Sequence, residues 1–326
     1  MRASLENICN DFIHNIDAVR SVYKMESPLI VHVCAADLAA KGIRADAEKL
    51  KECKKLIEKN TGFFSNFRGN VQLPLTAVLA AADDPTEKLQ QTKDNYELLK
   101  QQLWSSQYLA LLAAVMTDMT DTDGVRDKAE RGKHIFDLMK KEHPFLTGSE
   151  DSVFAVLLAF SEKADEQLIE ETEKVYDYFK KKFGGNAVQM VSHVLSLTEG
   201  SWEDKCRRME LLWDSLKNAD RKYSKYYELS ALAALTITDG DVNVMVDDIL
   251  EADRFLEKQD SYSGIFGIDK KTRLMHAVML ISSEYSKNSN AGVASVTGTL
   301  AMVAAQQAAM CAVIAASCSS TAAASN

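Results

Sequence analysis

A five-position pattern spaced 4, 3, 4, 3 returns along this chain about every forty residues, and that spacing marks one stripe of an α-helix. Its clearest copies are Val125, Ala129, Gly132, Phe136, Met139; Asp165, Ile169, Thr172, Tyr176, Phe179; and Trp202, Cys206, Met209, Trp213, Leu216. An earlier copy runs through Pro85, Leu89, Thr92, Tyr96 and Leu99. Weaker copies lie at Ile43, Ala47, Leu50, Lys54, Ile57 and at Val242, Val246, Ile249, Asp253, Leu256. A helix with one apolar stripe stays dry only against neighbours, so a repeated stripe predicts a stacked array.

The fourth slot is aromatic in the central copies (Tyr96, Phe136, Tyr176, Trp213) and charged in the end copies (Lys54, Asp253). Polar end slots are expected where a terminal unit has no neighbour to bury them. An acid follows each central slot (Glu97, Asp137, Asp177, Asp214), with Lys three residues further on, which marks an exposed outer face.

Each striped helix, B, is preceded by a shorter helix, A, at 29–40, 71–82, 108–116, 152–160, 187–197 and 226–237, with an unpaired last one at 273–281. Asp84-Pro85-Thr86-Glu87 reads as an N-cap, a first-turn proline and a capping-box acid. Gly42, Gly62 and Gly148 fall where a left-handed helix stop is wanted. The A helices are apolar almost all round, so they must be buried on more than one side.

The expected fold is therefore all-α, with about six antiparallel hairpins of roughly forty residues stacked as a tightly curved α/α superhelix. A closed α/α toroid is the alternative, disfavoured by the polar end slots. Residues 1–288 form the repeat domain, with an N-terminal helix at 4–24, repeats over 29–258 and a closing helix at 268–285. Residues 289–326 form an Ala-rich capping helix and a frayed tail.

Composition narrows the function classes. Lys and Arg number 38 against 47 Asp and Glu, a formal charge of −9, and no basic cluster stands clear of acids, which argues against a nucleic-acid partner. The six cysteines show no metal-ligand spacing, most fall at helix-interior positions, and free thiols suit a reducing, cytoplasmic compartment. The uncharged tail is long enough to span a bilayer, but its alanines insert weakly and Gln306 and Gln307 would lie near mid-membrane, so a membrane span is not expected.

No catalytic, metal-ligand or nucleotide motif is present, and no catalytic residue, metal or cofactor is assigned. The B-to-A connections at 61–70, 143–151, 183–186 and 263–272 share one edge of the array, are long or Gly-rich, and end at helix N-termini. That edge, around Phe67, Arg68, Asn70, His143, Asn186, Asp269 and Arg273, is the candidate site for a protein, a peptide or a small anionic ligand. The plainer alternative is that Phe63, Phe67, Phe145 and Ile265 plug gaps between hairpins. The acids of the opposite edge read as B-helix caps, and a partial calcium-loop match at Asp121, Asp123, Gly124 and Glu130 clashes with the helix register. The rival to a binding or scaffold protein is an enzyme using His193 and His276, with Asp269, inside a closed ring, where His32 would join them. A self-associating structural protein, a homo-oligomer, is the third reading.

The phrases GFFSNFRGN from Gly62, KKEHPFLTGSEDSVFAVLLA from Lys140, GGNAVQMVSHVLSLTEG from Gly184 and GIDKKTRLMHA from Gly267 carry a resemblance. From about residue 5 to the tail the chain resembles the bacterial family of uncharacterised helical proteins known as domain of unknown function 4003. The resemblance implies a single architecture and brings no activity, substrate or catalytic residue with it.

Overall fold

The computed structural model describes residues 1–262, 268–288 and 310. Among them are fourteen α-helices and no strand. The outer, B-type helices are α1 (Ala3–Val22), α3 (Ala47–Asn60), α5 (Pro85–Leu99), α7 (Thr122–Glu142), α9 (Asp165–Phe179), α11 (Trp202–Asn218) and α13 (Val242–Leu256). The inner, A-type helices are α2 (Pro28–Ala40), α4 (Gln72–Ala81), α6 (Gln107–Met116), α8 (Asp151–Leu158), α10 (Gly185–Ser196), α12 (Leu229–Thr236) and α14 (Lys270–Asn288).

The helix starts follow local chemistry. Asp46, Asp84, Asp121 and Asp241 each accept a first-turn N–H of the B helix they precede, the cap role expected of Asp84, Asp121 and Asp241. Asp121 is thus a cap and Asp123 pairs with Arg126, which leaves no calcium loop there. Helix α2 ends in a Schellman turn, with Gly42 at φ 71° and Ile43 N–H donating to the Leu38 carbonyl. Gly62 and Gly148, expected to do the same, keep ordinary backbone angles.

The expected stripes are the buried faces. On α7, Val125, Ala129, Gly132, Phe136 and Met139 are all buried. Helix α1 carries the same register at Leu5, Cys9, Phe12, Ile16 and Val19, which makes it one more outer helix, with α14 as the inner partner of α13. The expected count of about six hairpins becomes seven for this reason.

The α/α superhelical stack is as expected, and its two ends meet. Each inner helix packs on the next from α2 to α14, and α14 packs back on α2; α1 likewise packs on α13 and α14. Polar pairs reinforce the seam: the Met1 ammonium lies 3.1 Å from Glu251, Arg2 reaches Asp248 at 2.6 Å, and Tyr285 donates to the same carboxylate at 2.8 Å. Closure is the arrangement that the polar end slots disfavoured, and the reason lies in what those slots touch.

A fourth-slot side chain packs against the preceding B-to-A connection. Phe67 meets Tyr96 edge to face at 5.1 Å, His143 lies 4.4 Å from Tyr176, and Phe183 lies 5.6 Å from Trp213. At the supposed ends the contacts are only different in kind. Lys54 sits 4.5 Å over the Tyr23 ring, and Asp253, with no exposed surface, is bonded by Arg221 and Arg273 at 2.8 and 2.7 Å. A charge with a dedicated partner needs no solvent, so polarity at those slots did not mean a free end.

Inside the ring, a cavity of about 30 Å³ between α2, α4, α6 and α14 is lined by Cys34, Val78, Leu111, Met279 and Met310, with the Asp37–Lys41 pair at its wall. Met310 is buried there. The rest of the expected capping helix and tail lies outside the described residues. None of the described helices is long and apolar enough to cross a membrane.

Candidate functional site

Because the hairpins alternate direction, the seven B-to-A connections lie on one rim of the ring and the six A-to-B connections on the other. The two rims differ in chemistry. The A-to-B rim is mostly acidic, and its carbonyls are closed from within: Arg131 donates to Ala159 and Ser161, and Arg208 to Thr236, Thr238 and Gly240.

The B-to-A rim exposes apolar surface. Met25, Phe63, Phe64, Trp104, Phe145 and Tyr226 lie on five of its connections and are between 67% and 99% exposed. No connection of the opposite rim shows an exposed large apolar side chain. Lysines accompany them: Lys24, Lys59, Lys141, Lys181, Lys222 and Lys258, one in or beside each of six connections, are exposed and make no ion pair among the described residues. They gather here because B helices end on this rim, where the negative end of the helix dipole favours cations.

The residues singled out from sequence divide into separate structural jobs. Phe67 is buried against Tyr96 and plugs its gap, while Phe63 and Phe145 project into solvent; Ile265 lies outside the described residues. Arg68 donates to Thr61 Oγ1 and to the Glu58 and Thr61 carbonyls, closing the end of α3. Asn70 lies in the 3-10 turn Gly69–Val71 before α4, and Asn186 is exposed on the first turn of α10. Asp269 caps α14 by accepting from Lys271 N–H, Thr272 N–H and Thr272 Oγ1. Arg273, 5% exposed, is held by Asp253 and Glu257. The guanidiniums of Arg68 and Arg273 are therefore engaged inside the protein and far apart along the chain.

The histidines form two buried groups. His32 and His276 stack at 5.1 Å across the seam, with Phe12 and Tyr262 edge-on beside them. His32 Nδ1 donates to the Pro28 carbonyl at 2.6 Å, and His276 Nδ1 shares a proton with Tyr262 Oη at 2.7 Å; neither Nε2 atom has a partner among the described residues. Burial holds both imidazoles neutral, pushing His32 down to about 4 and His276 well below its ordinary range. His193 belongs to the second group, 3.4 Å from Asp151, in an approach that leaves its Nδ1 without a hydrogen bond. Burial raises the Asp151 carboxyl to about 7 and lowers His193 to about 3, so at neutral pH this is no charged dyad. His143 is nearer the surface and bonded to Glu173 at 2.9 Å, and loop 143–150 is tied to α10 by Gln189 Nε2 donating to Thr147.

His193 and His276 thus do not converge, and Asp269 joins neither. Sequence reasoning passed over Met25, Trp104 and Tyr226, the last being taken as the start of an inner helix that begins instead at Leu229. A signal was available in part: each is a large apolar residue that falls off the 4-3-4-3 stripe.

The pattern of the family described as protein of unknown function DUF4003 matches residues 15–309. The chain belongs to the DUF4003 family. The DUF4003 match takes in every B-to-A connection and all three buried histidines. A curated relative, the uncharacterized protein YeaA of Bacillus subtilis (strain 168), is 25% identical over 204 residues, which span 60% of this chain and 60% of YeaA. No solved structure matches the chain. Among the described residues no group of three His, Cys, Asp or Glu side chains is placed to hold a metal ion.

Proposed function

We propose that the chain is a binding protein whose working surface is the B-to-A rim. One observation carries this reading: the six large apolar side chains on that rim stand in water. Exposed apolar surface costs about 25 cal/mol per Å², and a protein that concentrates it on one face gains from covering it. Aromatic and Met side chains are also those enriched where proteins meet partners. The enzyme reading has less support, because the buried imidazoles lie in two separate packed groups and none of them lines the cavity among α2, α4, α6 and α14. Among the described residues Cys9, Cys34, Cys53 and Cys206 are buried free thiols, which fit a cytoplasmic setting.

The test is the state of the chain inside bacterial cells. The full chain and a variant carrying F63S, F64S, W104S and F145S would be compared by cross-linking and gel filtration of the cell lysate. The native chain is expected in material larger than its own 36.1 kDa, and the variant, with an unchanged melting temperature, at that mass. Identical elution of both as free monomers, with neither retained by the membrane fraction, refutes the reading; a native homodimer lost in the variant makes the partner a second copy.

A further inference from the structure

We infer that the partner of the rim is an anionic lipid surface, on which the ring lies flat with its B-to-A connections against the headgroups. The inference rests on the rim being the binding surface and adds what covers it.

Distribution and charge select this partner. Protein interfaces concentrate their anchors in a central, well-packed patch. Here the apolar side chains are spread around a rim, from Met25 on the first connection to Tyr226 on the sixth, and each stands nearly free of its neighbours, the Phe63–Phe64 contact apart. A bilayer interface accepts such scattered wedges, since each side chain enters the headgroup and acyl boundary independently. Trp and Tyr are the residues that settle at that depth.

The unpaired lysines give the sign. Lys24, Lys59, Lys141 and Lys222 border four of the connections that carry exposed apolar side chains, and Lys181 and Lys258 border two others on the same rim; none makes an ion pair among the described residues, although Glu26, Glu58, Glu142, Asp220 and Glu257 lie within two residues of five of them. A polybasic set beside apolar side chains is the combination that holds a protein to anionic lipid, each contribution being reversible alone. A chain of net charge −9 would be repelled by such a surface if its charge were uniform. Asp83, Asp84, Asp118, Asp121, Asp239 and Asp241 stand on the far rim, which lessens that repulsion and orients the approach, although Glu142, Asp220, Glu257 and Asp260 remain on the near one. At physiological salt the far-rim acids lie beyond the screening distance if the ring is flat on the membrane.

The test is sedimentation of the full chain with vesicles of phosphatidylglycerol and phosphatidylethanolamine, against vesicles of phosphatidylcholine alone, with tryptophan emission read in parallel. Partition onto the anionic vesicles is expected to be at least tenfold higher and to fall steeply with added salt. The emission is expected to shift to the blue, and the shift to vanish in W104F, which keeps Trp202 on the far rim and the buried Trp213. The variant K24E, K141E and K222E, checked for an unchanged melting temperature, is expected to lose the preference for anionic lipid. Equal partition onto both vesicle types, or a native chain left in the supernatant with anionic vesicles, overturns the inference. A blue shift produced by a membrane-free cell extract and not by vesicles overturns the lipid while leaving the rim as a protein-binding surface. No shift with either removes both.

Discussion

The imidazole rings of His32 on α2 and His276 on α14 lie 5.1 Å apart and 13° from parallel, across the seam where the first and last inner helices of the ring meet. Neither ring has exposed surface, and each keeps one nitrogen without a partner among the described residues. Burial in the closed ring therefore disfavours a charge on either.

That penalty makes the fold acid-sensitive. A histidine whose folded-state affinity for protons is lowered contributes stability above its unfolded pKa and loses it as pH falls toward the folded value. For His32 the window runs from 6.5 down to about 4, and the loss across it is roughly 3 kcal/mol. Urea unfolding between pH 7 and pH 4.5 should show stability falling in the native chain and a shallower fall in H32F, which keeps the stacked ring without the proton site. Parallel curves would mean that the seam histidines do not govern the acid response.

Asp253 is the most committed charge at the seam, fully buried between Arg221 and Arg273. Removing one member of a buried ion pair leaves the other uncompensated, so D253A should cost about 3–5 kcal/mol. A loss below about 1 kcal/mol in chemical denaturation would show that the two guanidiniums find water instead.

Gly132 is a stripe position where α7 approaches α8 closely. A Cβ there would lie 2.7 Å from Val156 Cγ2 and 3.0 Å from its Cα, a backbone atom that cannot turn away. Although alanine favours a helix by about 1 kcal/mol over glycine, overpacking of about 1–3 kcal/mol should win, and G132A should melt lower. A raised melting temperature would mean that the helices separate freely.

Asp220 ends α11 with φ at 58°, and its neighbour Arg221 donates N–H to the Leu216 carbonyl in a Schellman turn. Glycine takes that conformation without the Cβ clash, so D220G should stabilise by about 1 kcal/mol. Calorimetry showing no gain would place the compensation in an Asp220 side-chain contact.

Phe67 and Phe64 separate packing from surface within one loop. F67A should cost roughly 3 kcal/mol, as for buried aromatics generally, while F64S should stay within about 0.5 kcal/mol of the native chain. Equal losses would mean that Phe64 is not free on the rim.

Much of this was legible from residue order alone. The 4-3-4-3 stripe, the Asp caps and the all-round apolar A segments are local properties, fixed by helix geometry within a few turns. The copy at Leu5, Cys9, Phe12, Ile16 and Val19 was equally legible and marks the seventh outer helix. Arg68 and Arg273 could not be read, because a guanidinium in a loop looks the same whether it faces a ligand or a carbonyl of its own chain.

Sequence determined the helices, their inner or outer place and the edge on which each connection falls, since periodicity and connectivity set these without reference to distant residues. Tertiary structure decided that the ends meet, that His32 faces His276 while His193 faces Asp151, and which phenylalanines of a rim loop are buried. Those outcomes depend on contacts between hairpins, over two hundred residues apart for His32 and His276 and between neighbouring repeats for the others, and on how seven nearly equal wedges add up to a full turn, which no single repeat encodes.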